Sequence, residues 1–391
     1  MKQYNPFSPL LDDDSPLNDA AREVVFQLNQ RRPGADTWFT KVRADRRKRV
    51  EVVTWDEMQG QPGAIQGTMD QERKKIEEIA AFLAKKPLER VYIFGCGDSW
   101  YSALGVRMLF ETVLGIPCEP MQALDFGYYY YTMANEKTLT IALSSSGGTA
   151  RTTEAMFMAQ AQGAQSIAIT NSAGSAMDKG GDHTLLVHAV RQGWPTQAST
   201  AAVALMDLLA IEIARKKGGS SAELDKLEKA LYQTPEMVGK ILKSENDKAI
   251  QIAEKETNRH IYLFAGGGPA YSCAMFGAAK IKEMTPADHA YALPQEEYHH
   301  FDSGKEGDPV FIIAPEGRSV PRATNTAERT RIQNAQAYGV VTKGGSPLLP
   351  FLDAAFELPA MDERLVPIVY TVPLQMFAYH VGMTKFRREG Y

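Results

Sequence analysis

The chain has 391 residues, of which 44% are hydrophobic, and this is enough apolar sequence to bury more than one core. Lysine and arginine total 43 against 47 aspartates and glutamates, so the net charge of −4 gives no overall electrostatic attraction to nucleic acid or to a membrane. The composition therefore excludes a peptide-sized product and predicts two domains, in which an anionic ligand must be held by local contacts.

The cysteines and the N-terminus both favour a cytoplasmic protein. Cys96, Cys118 and Cys273 are widely spaced in apolar surroundings and form no CxxC pair, which predicts buried thiols in a reducing compartment. Residues 1–16 are polar and acidic, whereas a signal peptide has a basic start and an apolar run, and no stretch approaches the length of a membrane span. We therefore expect a cytoplasmic protein with neither nucleic acid nor membrane as a partner.

The N-terminal residues 1–55 are predicted to form an extension. They are rich in proline, aspartate and arginine and show one short helical pattern, near residues 18–30. A basic run at residues 41–49 fits either a nucleic-acid patch or a solvated face or subunit contact. Because no DNA-binding helix pattern accompanies this run, we favour the solvated face or subunit contact.

Apolar periodicity beyond the extension predicts an α/β fold. Residues 71–86 carry apolar side chains at helical spacing and are predicted to form an amphipathic helix that ends before Pro87. Further on, short apolar runs alternate with helical stretches, which implies a parallel sheet covered on both faces. The predicted strands are 91–95, 138–143, 166–170, 184–188, 260–264, 310–313 and 339–342, and the predicted helices are 101–114, 149–162, 271–284, 323–338 and 367–383.

A repeated sequence pattern indicates two copies of one nucleotide-binding-like α/β unit. Phe-Gly-Cys-Gly at 94–97, followed by Tyr-Ser at 101–102, aligns at a constant offset of 170 with Phe-Ala-Gly-Gly at 264–267, followed by Tyr-Ser at 271–272. The predicted organisation is an extension over residues 1–55, a first domain over 56–235 and a second domain over 236–391.

A serine-rich loop after the second predicted strand is the first candidate site. Its hydroxyl groups, its two glycines and the free N–H groups of a helix start together make a phosphate cradle. A simple N-cap is the alternative, but a cap needs a single hydroxyl. The loop after the first strand adds Ser99, whereas the corresponding loop of the second copy, residues 314–318, has no hydroxyl side chain and is a poor phosphate site. The predicted cradle comprises Ser144, Ser145, Ser146 and Thr149.

Acid–base candidates occur in the second copy. Lys280 and Glu283 are three residues apart on a predicted helix and therefore share a face, and His299 and His300 follow in a polar stretch. A carboxylate beside an imidazole could move protons next to a carbonyl and open a sugar ring. The spacing by itself fits an ordinary helical ion pair and two loop histidines better.

Together these segments resemble the SIS (sugar isomerase) domains, above all the paired isomerase half of glutamine-fructose-6-phosphate aminotransferase and the related fructosamine-6-phosphate deglycases. The resemblance runs from about Met58 to Tyr391. It implies two tandem SIS domains, each a flavodoxin-like three-layer α/β sandwich with a parallel sheet. The stretches that carry it are residues 115–119, 144–149, 198–200, 278–283 and 370–381.

The resemblance also assigns roles to the residues of the first domain. It implies that the sugar phosphate is held by hydroxyl groups, that Ser145 lines the same loop, and that Ser199 reaches the sugar hydroxyls. It implies no metal and no other cofactor. The residues to which it assigns phosphate binding are Ser99, Ser144, Ser146 and Thr149.

In the second domain the resemblance implies the acid–base groups. Glu283 matches the base that moves a proton between C1 and C2, and Lys280 matches a lysine beside it. His299 matches the histidine that opens the sugar ring and is supplied by the neighbouring subunit, so a homodimer with a shared active site is implied.

Three departures from the family pattern are visible. Nothing in the chain resembles the glutaminase part of the aminotransferase with its N-terminal cysteine. The usual His-Gly-Pro is replaced by His299-His300-Phe301, which makes His300 a rival of His299. The tail lysine that closes over the sugar has no direct match, and the candidates to replace it are Lys385, Arg387 and Arg388.

The predicted function is that of an enzyme acting on a 6-phosphorylated ketose-amine or amino sugar. Proton transfer between C1 and C2 would be coupled to release of the amine, as in a deglycase or deaminase. The alternatives are plain aldose/ketose isomerisation, the isomerase subunit of a glucosamine-6-phosphate synthase-like system, and a non-catalytic sugar-phosphate sensor. A sensor would keep the serine loop and lose the acid–base pair.

Overall fold

Two parallel five-stranded sheets form the frame of the protein in a computed structural model that describes residues 15–30, 47–295 and 306–388. The strands of both sheets are joined by helices that cover both faces, so most strand residues are buried, as expected for parallel sheets.

The first half contains helix α1 (Asp19–Gln30), helix α2 (Gln61–Leu83), strand β1 (Arg90–Gly95), helix α3 (Asp98–Leu114), strands β2 (Cys118–Gln122) and β3 (Thr138–Leu143), helix α4 (Ala150–Ala161), strands β4 (Gln165–Thr170) and β5 (His183–Leu186), and helix α5 (Gln197–Lys216). Short helical turns lie at Arg49–Thr54, Trp55–Gln59, Ala123–Asp125, Phe126–Tyr130, Tyr131–Met133 and Ala176–Gly180. The strand order is β2-β1-β3-β4-β5.

The second half contains helices α6 (Ser221–Ser244) and α7 (Asn246–Glu256), strand β6 (Ile261–Gly266), helix α8 (Pro269–Met284), strands β7 (His289–Pro294) and β8 (Pro309–Ala314), helix α9 (Val320–Ile332), strands β9 (Gln336–Thr342) and β10 (Ala354–Leu358), and helix α10 (Val372–Arg388). Short helical turns lie at Leu349–Phe351, Glu363–Leu365 and Val366–Val369. The order β10-β9-β8-β6-β7 is that of the first sheet counted from the other edge, so both copies are flavodoxin-like.

The predicted α/β alternation is confirmed, and the central strands agree with the prediction to within a few residues. The edge strands β2, β7 and β10 were missed because they carry partly exposed side chains and so lack a continuous apolar run. The predicted helix over 323–338 was too long, since α9 ends at Ile332 and Asn334 adopts a left-handed conformation with φ of 58° before β9 begins.

Backbone geometry corrects the alignment of the two copies by one residue. Gly97 and Gly268 precede α3 and α8 with nearly the same dihedral angles, φ of 57° and ψ of −126° against φ of 56° and ψ of −133°. These φ values favour glycine. The structural offset at this loop is therefore 171 rather than the 170 indicated by the letters.

Helix α6 crosses the predicted border between the two domains. It runs without a break from Ser221 to Ser244 and contains Pro235, so the border proposed between residues 235 and 236 falls inside a helix. The helices break on either side of this border, at residues 217–220 between α5 and α6 and at Glu245 between α6 and α7. The exact division of the chain stays a prediction.

Among the residues that the structure describes, two helical stretches are long and apolar enough to span a membrane. They are Gln197–Lys216 and Glu363–Arg388, and the apolar windows within them are 100% and 94% buried inside the protein. Buried core helices pass the same test of length and composition, so these stretches are weak evidence for a membrane protein.

Helices α3 and α8 join the two halves through a close contact. The Ser272 hydroxyl donates to the Tyr101 carbonyl oxygen at 2.7 Å. A Cβ atom on Gly105 would lie 3.0 Å from Pro367 Cβ and 3.0 Å from Ser272 Oγ, so only glycine lets the helices approach this closely.

We expect Gly105→Val to lower the free energy of unfolding by about 1–3 kcal/mol, because the added methyl groups overpack the contact between α3 and α8. Urea unfolding would measure the change. Gly63→Ala on α2 is the matched control, because its Cβ would meet nothing within 4 Å, and a helical alanine there should stabilise by about 0.5–1 kcal/mol. Equal stability of the Gly105 variant and the wild type would contradict the proposed close contact.

Candidate active site

A cavity of about 350 Å³ opens where the first sheet reverses its strand order, between the carboxyl ends of β1 and β3. This is the position at which open α/β sheets bind ligands, and the volume is at the lower end of the roughly 300–1,000 Å³ range of small-molecule sites. The loops after β1 and β3, the start of α5 and one residue of α8, Glu283, line the cavity.

The hydroxyl groups of the serine loop converge on this cavity. Ser144 Oγ lies 2.8 Å from Thr149 Oγ1 and 3.4 Å from Ser146 Oγ. Gly147 has a φ of 58°, and a Cβ there would lie 2.0 Å from Ser175 Oγ, so glycine is required for the turn. The loop ends at the N-terminus of α4, whose first N–H groups favour an anion.

The remaining predicted hydroxyls occupy different positions around the same cavity. Ser145 donates from its hydroxyl to Asn171 Oδ1 at 2.6 Å, and Asn171 in turn donates to two backbone carbonyl oxygens after β5, so this pair fixes the loop. Ser99 lies in the first turn of α3, and Ser199, which is buried, lies in the first turn of α5. Both line the cavity.

Lys280 forms the centre of a buried charge cluster next to the cavity. Its Nζ donates to Asp98 Oδ2 at 2.6 Å and to Glu283 Oε2 at 2.5 Å. The Lys280 side chain is 0% exposed, whereas those of Asp98 and Glu283 are 15% and 24% exposed. The pair of Lys280 and Glu283 is therefore not an ordinary surface ion pair, because the ammonium has no access to solvent.

The cluster makes Glu283 suitable for proton exchange near neutral pH. Burial raises the pKa of Glu283 to about 7; the charge of Asp98 adds to the rise, and Lys280 opposes it. Burial by itself would lower the pKa of Lys280. The negative charges of Asp98 and Glu283 outweigh this effect, so the pKa of the ammonium lies above its ordinary value. Lys280 thus stays protonated while Glu283 can gain or lose a proton.

Several cavity residues escaped the sequence prediction. Asp98 gave no signal of its own, because its partner Lys280 is 182 residues away. Arg49 stacks over the Trp194 ring at 4.3 Å and donates from Nη2 to the Gly193 carbonyl oxygen at 3.0 Å. It comes from the basic run, so the expectation of a solvated face was wrong for this residue, whereas the alternative of a subunit contact stays a prediction.

Two further expectations are corrected. Cys118 and Cys273 are buried as predicted, but Cys96 is exposed and lines the cavity. Lys385 cannot serve as the closing tail lysine, because its buried Nζ is held by Asp288 Oδ1 at 2.6 Å and the Arg259 carbonyl oxygen at 2.6 Å.

His299 and His300 lie outside the described residues, so the predicted ring-opening histidine stays a prediction. Arg387 and Arg388 are in the last turn of α10, where Arg388 donates from Nη1 to Asn258 Oδ1 at 3.1 Å. Neither arginine is among the described residues that line the cavity.

Comparison with known proteins agrees with this geometry. The sequence profile of the SIS domain matches twice, at residues 83–212 and 256–385, once on each sheet. The chain belongs to the SIS domain family. The predicted pair of tandem SIS domains is thereby confirmed.

The most similar curated relatives include large aminotransferases. The glutamine–fructose-6-phosphate aminotransferase (isomerizing) of Thermococcus kodakarensis is 31% identical over 335 residues, covering 84% of this chain and 54% of the relative. The Escherichia coli protein of the same name is 30% identical over 304 residues, covering 76% of this chain and 49% of the relative. The chain thus spans about half the length of the curated relatives it matches.

Solved structures show the same fold of two SIS domains. The C-terminal domain of the glucosamine-fructose-6-phosphate aminotransferase from Francisella tularensis superposes with a TM-score of 0.75 at 23% identity and covers 84% of this chain and 95% of that chain. A glucosamine-6-phosphate deaminase from Thermotoga maritima gives a TM-score of 0.61 at 21% identity, with 82% and 94% covered.

We expect the stability of the SIS protein to record the raised pKa of Glu283. The folded state holds this proton more tightly than the unfolded chain, so the contribution of Glu283 to stability is complete below pH of about 4.3 and is lost as the pH rises through about 7. The free energy of unfolding of Glu283→Gln, relative to the wild type, should therefore rise between about pH 5 and pH 8, which span most of this range.

Urea unfolding at both pH values measures this difference. Glu254→Gln, which removes an exposed carboxyl group on α7, is the control for a general effect of charge. A difference between wild type and Glu283→Gln that does not change with pH would contradict the raised pKa.

Proposed function

We propose that the protein is an enzyme that binds a 6-phosphorylated ketose-amine or amino sugar and moves a proton between C1 and C2, with release of the amine. The observation that carries this proposal is the common cavity, in which a hydroxyl-rich phosphate cradle from the first SIS domain faces Glu283 from the second. Neither element alone would suffice, because binding and proton transfer must act on one substrate molecule.

The cradle would hold the phosphate at C6. The hydroxyl groups of Ser146 and Thr149 both lie within hydrogen-bonding distance of Ser144 Oγ, and α4 adds its N-terminus. Ser99 and Ser199, on neighbouring helix starts, would bind the phosphate and the sugar hydroxyls respectively. The binding energy of the phosphate then fixes the reacting carbons beside the carboxylate.

Glu283 would act as the proton carrier on the open-chain sugar. In a ketose-amine, its carboxylate removes a proton from C1 and returns it to C2, which converts the ketone and amine into a C1 imine. Addition of water to this imine releases the amine and leaves the aldose 6-phosphate. Lys280 and Asp98 would hold the carboxylate in place, as positioning residues, through their hydrogen bonds.

The relatives support the substrate class rather than the individual reaction. The names of the curated aminotransferases contain fructose 6-phosphate, and that of the Thermotoga deaminase contains glucosamine 6-phosphate. Both sugars carry a 6-phosphate and differ at C1 and C2. We further propose a cytoplasmic homodimer in which His299 of a second copy completes the site for ring opening.

The direct test measures release of ammonia or amino acid from glucosamine 6-phosphate and from several fructosamine 6-phosphates. We expect the wild type to release the amine from at least one of them and Glu283→Gln to lose at least about 100-fold in kcat, the usual contribution of a general base. Glu254→Gln on α7 should retain full activity. Glu283→Gln should still bind the sugar phosphate, and calorimetry would measure this binding.

Other outcomes would replace the proposal. Interconversion of fructose 6-phosphate and glucose 6-phosphate without amine release would identify a plain isomerase that uses the same residues. Binding without any turnover would indicate a sugar-phosphate sensor and would contradict the catalytic assignment of Glu283.

The pH dependence of the reaction tests the positioning role of Asp98. The negative charge of Asp98 raises the pKa of Glu283, so Asp98→Asn should lower it and move the acidic limb of the kcat/KM profile to lower pH. Asp70→Asn, a change on the exposed face of α2, should leave the limb in place. An acidic limb that stays fixed or moves to higher pH in Asp98→Asn would contradict the role of Asp98.

A further inference from the structure

Two segments far apart in the chain are tied together at the wall of the cavity. Glu57 Oε1 accepts hydrogen bonds from the backbone N–H groups of Gln192 and of Gly193, the latter at 2.9 Å. The backbone N–H of Trp194 donates to Thr54 Oγ1 at 3.0 Å. The loop before α5 is thus fixed against the helical turns that follow the N-terminal extension.

This junction presents two guanidinium groups to the cavity. Arg49 comes from the N-terminal segment, and its Cζ lies over the Trp194 ring at 4.3 Å from the centroid, while its Nη2 donates to the Gly193 carbonyl oxygen. Arg191 comes from the loop, is exposed, and lines the same cavity. Burial and the like charge of Arg191 both lower the pKa of Arg49.

Arg49 and Glu283 line the same cavity. The charge of Arg49 acts on Glu283 and favours its ionised form. In the proposed substrate the phosphate is at C6 and the amine is at C1 or C2, so the amine and anything attached to it extend past Glu283. The phosphate has its own cradle of hydroxyl groups at the start of α4.

We propose that Arg49 and Arg191 form a carboxylate-binding subsite for the amine half of the substrate. The preferred substrate is then a ketose-amine 6-phosphate whose amine is an amino acid, rather than an unsubstituted amino sugar. Guanidinium groups bind carboxylates through paired, charge-assisted hydrogen bonds, and the contact with Trp194 restrains the Arg49 guanidinium. This inference rests on the proposed function, because it names the substrate class of the same site.

The test uses two substrates that differ only by a carboxylate, the glycine adduct and the methylamine adduct of fructose 6-phosphate. We expect the wild type to prefer the glycine adduct in kcat/KM by roughly tenfold or more, the usual effect of a charge-assisted hydrogen bond. Arg191→Gln should reduce this preference toward unity by weakening the glycine adduct alone. Arg49→Lys, which keeps the charge and loses the planar group, should reduce it as well.

The control is Arg107→Gln, which removes an arginine whose Nε pairs with Glu111 on α3, and it should leave the preference unchanged. An Arg191→Gln variant that weakens both adducts equally would show that the arginine serves the phosphate, and this would overturn the proposal. Equal use of both adducts by the wild type would also overturn it while leaving amine release intact.

A binding measurement distinguishes a failure of this inference from a failure of the proposed function. Calorimetry on Glu283→Gln measures the dissociation constants of both adducts without turnover. Tighter binding of the glycine adduct that depends on Arg191 supports the subsite even where no amine is released, whereas equal binding of both adducts contradicts it.

Discussion

The fully buried ammonium of Lys280 requires compensating charge, because an isolated ion in a protein interior is strongly destabilising. One partner, Asp98, begins α3 of the first SIS domain, and the other, Glu283, is one turn further along α8 of the second. The same two helices are brought together by Gly105. The charge cluster and the helix contact therefore fix Glu283 of one domain, the proposed acid–base group, beside the proposed phosphate cradle of the other.

The composition of the cluster also determines its chemistry. Two carboxyl groups share one ammonium, so full ionisation leaves a surplus negative charge in a poorly solvated place, and the proton of Glu283 is exchangeable near pH 7. The protein gives up some stability to hold Glu283 in this state, as is common at active sites. The proposed phosphate cradle, in contrast, consists of neutral hydroxyls and a helix N-terminus, which need no such compensation.

The sequence predicted those parts of the fold and site that depend on local patterns. Apolar runs located the central strands, and hydroxyls between a strand and a helix located the loop at Ser144 that lines the cavity. The rest depends on contacts between distant segments, such as that of Arg49 with Trp194, 145 positions apart in the chain. Whether Lys385 and Cys96 are buried or exposed also follows from the folded structure and cannot be read from the sequence. Edge strands were missed because their side chains are only partly buried.

The most direct test of this account is the exchange of solvent deuterium into the substrate. A fructosamine 6-phosphate or glucosamine 6-phosphate incubated in D₂O with the wild type should gain deuterium at C1 or C2, because Glu283 exchanges its proton with solvent. Glu283→Gln should bind the same sugar and incorporate none. Deuterium incorporation by Glu283→Gln at the rate of the wild type would contradict the assignment of Glu283 as the proton carrier.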